Sequence, residues 1–221
     1  MIVVVGNPLA RQSEKGVVAA GVAASVGRVA AAAGADVQLV GKVGEGPTGD
    51  AILLSLAQAR VGHAAVLRDA SAANAIAPAA SDPEAVLDPI DGDEPPAPPL
   101  APPDTSPATR PLDTGDLQLA LRYLPDYRVV VVADLFDEAA LGTIVAAARW
   151  AGAQLIVVVP AGSTGSGVPD DATVLEAPPV DADGAFAAVV GAYAAALDRG
   201  ATPADAFASA SIGSGWSAVI D

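Results

Sequence analysis

The chain has no cysteine, a single histidine and a single methionine, and only 4% of its residues are aromatic. Without thiols it has no disulfides, thiolate metal sites or cysteine nucleophiles. The lone His63 has neither a second histidine nor clustered acids nearby in the sequence, so neither a metal site nor a hydrolase triad can be drawn. Trp150, at the end of an alanine-rich stretch, and Trp216, near the C-terminus, read as packing residues. Basic residues are scarce as well: 11 against 26 acidic ones give a net charge of -15, which repels phosphate backbones and argues against nucleic acid and anionic membranes as partners. Long apolar runs are missing, since every hydrophobic stretch is broken by glycine, charge or proline before the roughly 18 residues a membrane span requires. Met1 leads directly into Ile2-Val3-Val4-Val5-Gly6 with no basic region or cleavage site, so the expected location is cytoplasmic.

What remains is abundant Ala, Val and Leu. In a chain of 221 residues, 52% of them hydrophobic, these suffice for one core, and a single domain over residues 1–221 is expected. Short β-branched runs alternate with small-residue helical patterns. Ile2 to Val5 has the wholly apolar character of a strand buried on both faces, and Gly16 to Ala33 reads as one long helix. Val37 to Val40 is the next strand, and Thr48 or Pro47 is placed to start a helix that runs from about Asp50 to Ala59. Ala64 to Arg68 forms a further strand.

Between Ser81 and Pro111 this alternation stops. Ten of the 19 prolines lie there, among Asp82, Glu84, Asp88, Asp91, Asp93, Glu94 and Asp104, so residues 81–111 read as an inserted surface loop or linker. Asp113 to Asp116 then starts a helix through Leu124. Tyr127 to Asp134 gives a strand, Asp137 to Gly152 a glycine-terminated helix, and Gln154 to Pro160 another strand. Such a βαβ unit calls for a parallel sheet with helices on both faces. A glycine-serine segment, Ser163-Thr164-Gly165-Ser166-Gly167, follows the last of these strands, where open α/β sheets bind ligands. Val174-Leu175 suggests one more short strand, and Ala204 to Ala210 a closing helix.

Two further segments carry a family likeness. Val180-Asp181-Ala182-Asp183-Gly184-Ala185-Phe186-Ala187 precedes a helix-like run from Ala188 to Leu197, and Ala20-Gly21-Val22-Ala23-Ala24-Ser25 precedes Gly34 to Gly49. The first resembles the D-T-x-G-A-G-D signature of the ribokinase-like (PfkB) carbohydrate kinases. The second resembles that family's G-G-x-x-x-N element and the glycine-rich segment after it. The resemblance covers roughly the first 70 and last 100 residues. It implies a three-layer α/β/α fold with a mostly parallel central sheet. Only 14 residues separate Val5 from Ala20, too few for the family's lid and its strands, so the lid is expected to be reduced or absent.

In such a kinase the last acid of the signature removes the proton from the attacking hydroxyl, while the N–H groups of the turn stabilise the phosphoryl group. Here that position is Ala187, and Phe186 replaces a glycine. The resemblance therefore implies a shortened, catalytically impaired homologue, with Asp181 and Asp183 the only weak substitutes for the base. It places a nucleotide contact at Gly165, Gly167, Gly184 and Ala185, and substrate contacts at Asn7, Gly21, Ser25, Lys42 and Glu45. ATP and Mg²⁺ are expected only if the family site is retained, and no protein metal site is assigned. An active kinase of a small carbohydrate or alcohol is the alternative. A non-enzymatic scaffold is the third reading, forming a homodimer through the face left by the missing lid.

Overall fold

The computed structural model describes residues 1–14, 16–77, 110–163, 165, 167–179, 181 and 184–213. The proline-rich segment lies almost wholly outside them, as do Thr164, Ser166, Asp183 and Trp216. The strands are β1 (Ile2–Val5), β2 (Leu9–Ser13), β3 (Gly16–Ala20), β4 (Val37–Gly44), β5 (Gly62–Asp69), β6 (Val129–Val132), β7 (Gln154–Pro160) and β8 (Thr173–Ala177). The helices are α1 (Gly21–Ala32), α2 (Pro47–Gln58), α3 (Thr114–Tyr123), α4 (Glu138–Ala151), α5 (Ala185–Asp198) and α6 (Pro203–Gly213).

Six strands form one wholly parallel sheet in the order β5-β4-β1-β6-β7-β8. Because alternate residues of a strand face opposite sides, an unbroken valine run supplies both layers at once. Ile2, Val4, Val129, Val131 and Ile156 enter a core with α1, α2, α5 and α6. Val3, Val5, Val130, Val132 and Val157 enter a second core with α3 and α4. The result is the expected three-layer α/β/α arrangement.

Small residues let the helices of the first layer approach closely. A Cβ built on Gly191 of α5 would lie 2.7 Å from Val29 Cβ and 2.8 Å from the Val26 carbonyl oxygen of α1, so only glycine fits at this crossing. The helix ends follow local chemistry. Asp137 caps α4 through Ala140 N–H at 2.8 Å, and Gly152 closes it in the left-handed conformation. Asp113 and Asp116 form a reciprocal capping box on α3.

Two expectations are corrected. The helix expected from Gly16 begins only at Gly21, because Gly16–Ala20 pairs antiparallel with Leu9–Ser13 as a hairpin. Helix propensity in an Ala/Val segment is weak, and β-branched Val17 and Val18 accept the ladder offered by the preceding strand. The interval after β1 thus holds two short strands, which form a sheet of their own apart from the six-stranded one. Trp150 is not a packing residue: it is 90% exposed on α4. Among the described residues no helix is long and apolar enough to cross a membrane.

Candidate functional site

The strand order reverses beside β1. β4 and β5 follow it on one side, and β6, β7 and β8 on the other. Crossover helices then diverge to opposite faces and leave a crevice beyond the carboxyl ends of β1 and β6, where open α/β sheets hold ligands. Asn7 and Asp134 stand at that point. The Asn7 N–H donates to Asp134 Oδ2 at 3.4 Å, its Oδ1 accepts from Lys42 N–H at 2.8 Å, and its Nδ2 donates to the Arg110 carbonyl at 3.2 Å. Lys42 Nζ pairs with Asp116, both side chains being largely shielded from solvent. Asn7 and Lys42, both named from the sequence as substrate contacts, are therefore brought together, with their polar groups bonded to the protein itself.

The other substrate candidates are dispersed. Gly21 opens α1 against Leu9 of the hairpin. Ser25, one turn further on, accepts a hydrogen bond from Arg28 at 3.2 Å. Glu45 is exposed, and its backbone N–H donates to the Asp69 carbonyl.

Glycines near this crevice receive backbone from the same chain. A Cβ on Gly41 would lie 2.6 Å from the Gly6 carbonyl oxygen, and one on Gly44 would lie 2.2 Å from that of Ala72. Asn74 Oδ1 seals the second approach by accepting from Gly44 N–H at 2.9 Å. The glycine spacing that carried the family likeness in this segment thus has an internal packing cause.

The turn into α5 is the second part of the site. Gly184 adopts a left-handed conformation, with φ 68°, as its N-cap. The carboxylate of Asp181 turns back onto the first turn of the helix: Oδ1 accepts from Phe186 N–H at 3.0 Å and Oδ2 from Ala187 N–H at 3.1 Å. Free N–H groups at a helix start, with the positive end of the dipole, make an anion cradle. In this chain two of them already hold an anion, Asp181. Phe186 and Ala187 are 3% and 2% exposed and belong to the core shared with β1 and β6. The side chain at 187 therefore lies in an apolar layer rather than in open solvent.

Gly165 and Gly167, the other half of the expected nucleotide contact, have left-handed conformations in the loop after β7. Gly167 lies toward Leu141 of α4, on the opposite face of the sheet from the α5 core. No hydrogen bond among the described residues links this loop to Gly184 or Ala185.

The charged and N–H groups that an anionic nucleotide with Mg²⁺ would draw on are engaged within the chain. Asp181 holds the helix N–H groups, Asp116 holds Lys42, and Asp134 accepts from the N–H groups of Asn7 and Leu135. Among the described residues no three metal-ligating side chains cluster. Sequence reasoning passed over Asp134, Asp116, Asn74 and Arg110. Asp134 had a readable signal, an acid placed directly after a buried strand. The others depend on contacts between distant segments.

The architecture has solved counterparts. An aminoimidazole riboside kinase from Salmonella enterica, crystallised with aminoimidazole riboside and an ATP analogue, matches with a TM-score of 0.62, covering 95% of this chain and 89% of its own at 14% identity. The fold is ribokinase-like. A carbohydrate kinase from Agrobacterium tumefaciens matches this ribokinase-like chain with a TM-score of 0.56, covering 96% and 89% at 14% identity. A PfkB protein from Polaromonas sp. JS666 gives 0.56, covering 95% and 92% at 14% identity. No protein-family model matches the ribokinase-like chain, and no curated protein matches it in sequence.

Proposed function

We propose that this ribokinase-like protein is a sugar-kinase homologue with impaired phosphoryl transfer, whose remaining role is to bind a small polar metabolite or nucleotide. The observation that carries the reading is position 187. A general base must come within hydrogen-bond reach of the proton it removes, and its loss typically lowers the rate by about 10²–10⁴. Ala187 has no acceptor on its side chain and is buried in the core. Asp181, the nearest described acid of the signature, has both oxygens engaged with backbone N–H groups. The crevice at β1 and β6 supports the same reading, because Asn7 and Lys42 are bonded within the chain.

Two measurements test this: calorimetric titration with Mg²⁺-ATP, and ADP formation over a panel of small sugars and alcohols. The reading expects binding of ATP or of a polar metabolite without turnover above the uncatalysed background. Sustained turnover overturns it in favour of an active kinase, and absence of any binding overturns the ligand-binding role.

Self-association is a second reading, favoured by the hairpin of β2 and β3. Val17 and Val18 are only partly covered there, and exposed Ile76 lies alongside through its bridge to Ala10. A mass in solution that rises with concentration, and falls when Ile76 is replaced by Asp, supports it. A constant monomer mass removes it.

A further inference from the structure

Of the chain's eight aromatic residues, Tyr127 and Trp150 line one surface where α3 and α4 run side by side. Between these helices lies an open groove of about 820 Å³, walled by Leu121, Tyr127, Ala147 and Trp150 among others. Tyr127 is fixed in the wall, its hydroxyl donating to the Ala147 carbonyl at 3.2 Å. Trp150 is 90% exposed, whereas Tyr127 is buried, at 4%. This groove lies on the α3 and α4 face, apart from the turn into α5, which belongs to the opposite core.

The same chain contains Pro95-Pro96-Ala97-Pro98-Pro99-Leu100-Ala101-Pro102-Pro103, outside the described residues. Proline tracts favour an extended helix that needs no internal hydrogen bonds. Flat aromatic faces recognise it, because its rings pack against them at little entropic cost. Charge does not select the occupant, since Arg122 and Asp126 both line the groove. The exposed indole of Trp150 and the tether do.

Seven chain steps separate Pro103, the end of the tract, from Arg110, whose carbonyl is held by Asn7 just ahead of α3. Fully extended they reach about 24 Å, while the ten residues of α3 span about 15 Å, so the tract can lie along the whole groove. A tether this short gives an effective concentration of about a millimolar, enough for the weak affinity typical of such contacts.

We propose that the groove between α3 and α4 is a docking site for the proline tract of residues 95–103 of the same chain.

The test uses the full chain carrying Trp216→Phe, so that Trp150 is the sole tryptophan and its quenching by acrylamide reports the groove. Two variants are compared on this background. In one, Pro95, Pro96, Pro98, Pro99, Pro102 and Pro103 are replaced by Ser. In the other, Thr143→Arg obstructs the groove, and circular dichroism verifies the fold of both. Docking predicts that Trp150 is quenched severalfold more efficiently in each variant than in the parent. A synthetic peptide of residues 92–105 at millimolar concentration should restore protection to the serine variant but not to Thr143→Arg. Equal and full quenching in all three chains overturns the proposal. Protection that disappears when the parent is diluted also overturns it, and assigns the groove to the tract of a second copy.

Discussion

The carboxylate of Asp181 grips the backbone of Ala187, Oδ2 accepting its N–H at 3.1 Å while Oδ1 takes that of Phe186 at 3.0 Å. A side chain six positions upstream thereby stands where a helix start would otherwise offer its donors to a phosphate. It stabilises the helix and competes with any anionic ligand by the same two bonds.

Replacing Asp181 separates these effects. Asp181→Ala is expected to lower stability by about 1 kcal/mol, as loss of an N-cap does, while strengthening binding of inorganic phosphate or ATP. Urea denaturation and calorimetry measure the two changes. Unchanged or weaker anion binding would show that the cradle does not lie on a ligand path.

Restoring an acid at the signature position should not restore a kinase. Ala187→Asp places a carboxylate in the buried apolar core that α5 shares with β1 and β6. Leaving such a group without partners costs about 3 kcal/mol or more. A markedly lower melting temperature with no ADP formation is expected. Turnover in this variant would show that the helix can shift to expose position 187.

Gly44→Ala tests whether the glycines of the crevice serve packing. The added methyl would lie 2.2 Å from the Ala72 carbonyl oxygen, a backbone atom that cannot swing aside. Destabilisation of about 1–3 kcal/mol is expected, as for other overpacked sites, and equally with and without ligand. A loss of ligand affinity at unchanged stability would contradict it.

The start of α3 should respond to acid. Asp113 is held below the usual aspartate value chiefly by the backbone N–H of Asp116; desolvation opposes this, and the attraction of Lys42 adds a smaller lowering. A carboxylate depressed in the folded state contributes stability that is present above its unfolded value and is lost as pH falls through its folded value. Asp113→Ala should therefore be destabilising at neutral pH, and the difference from the parent should shrink in the acid range below the ordinary aspartate value. Denaturation curves at both pH values decide it. A pH-independent difference would show that the carboxylate charge plays no part.

Much of this fold was legible along the chain. Wherever a valine run had to be buried on both faces, as at Val129 to Val132 or Gln154 to Pro160, composition and flanking breakers located the strand. Asp137 and Gly152 bounded α4 through local hydrogen bonds, which need no partner from elsewhere. Gly16 to Ala20 was misread, since its conformation depends on a neighbouring strand rather than on its own propensity. Trp150 was misread because an aromatic at the end of an alanine-rich helix carries no sign of which side it faces.

The site divides along the same line. Position 187 is alanine whatever the fold does, so the absence of a base there belongs to the sequence alone. That Asn7 is fastened to Lys42 and Arg110, and that Gly44 receives Ala72, were decided by tertiary structure. The bonds of Asn7 join residues 35 and 103 positions apart. Identity at one position fixes which chemical groups exist, whereas their partners are chosen only when the sheet and its helices bring distant segments within hydrogen-bond reach.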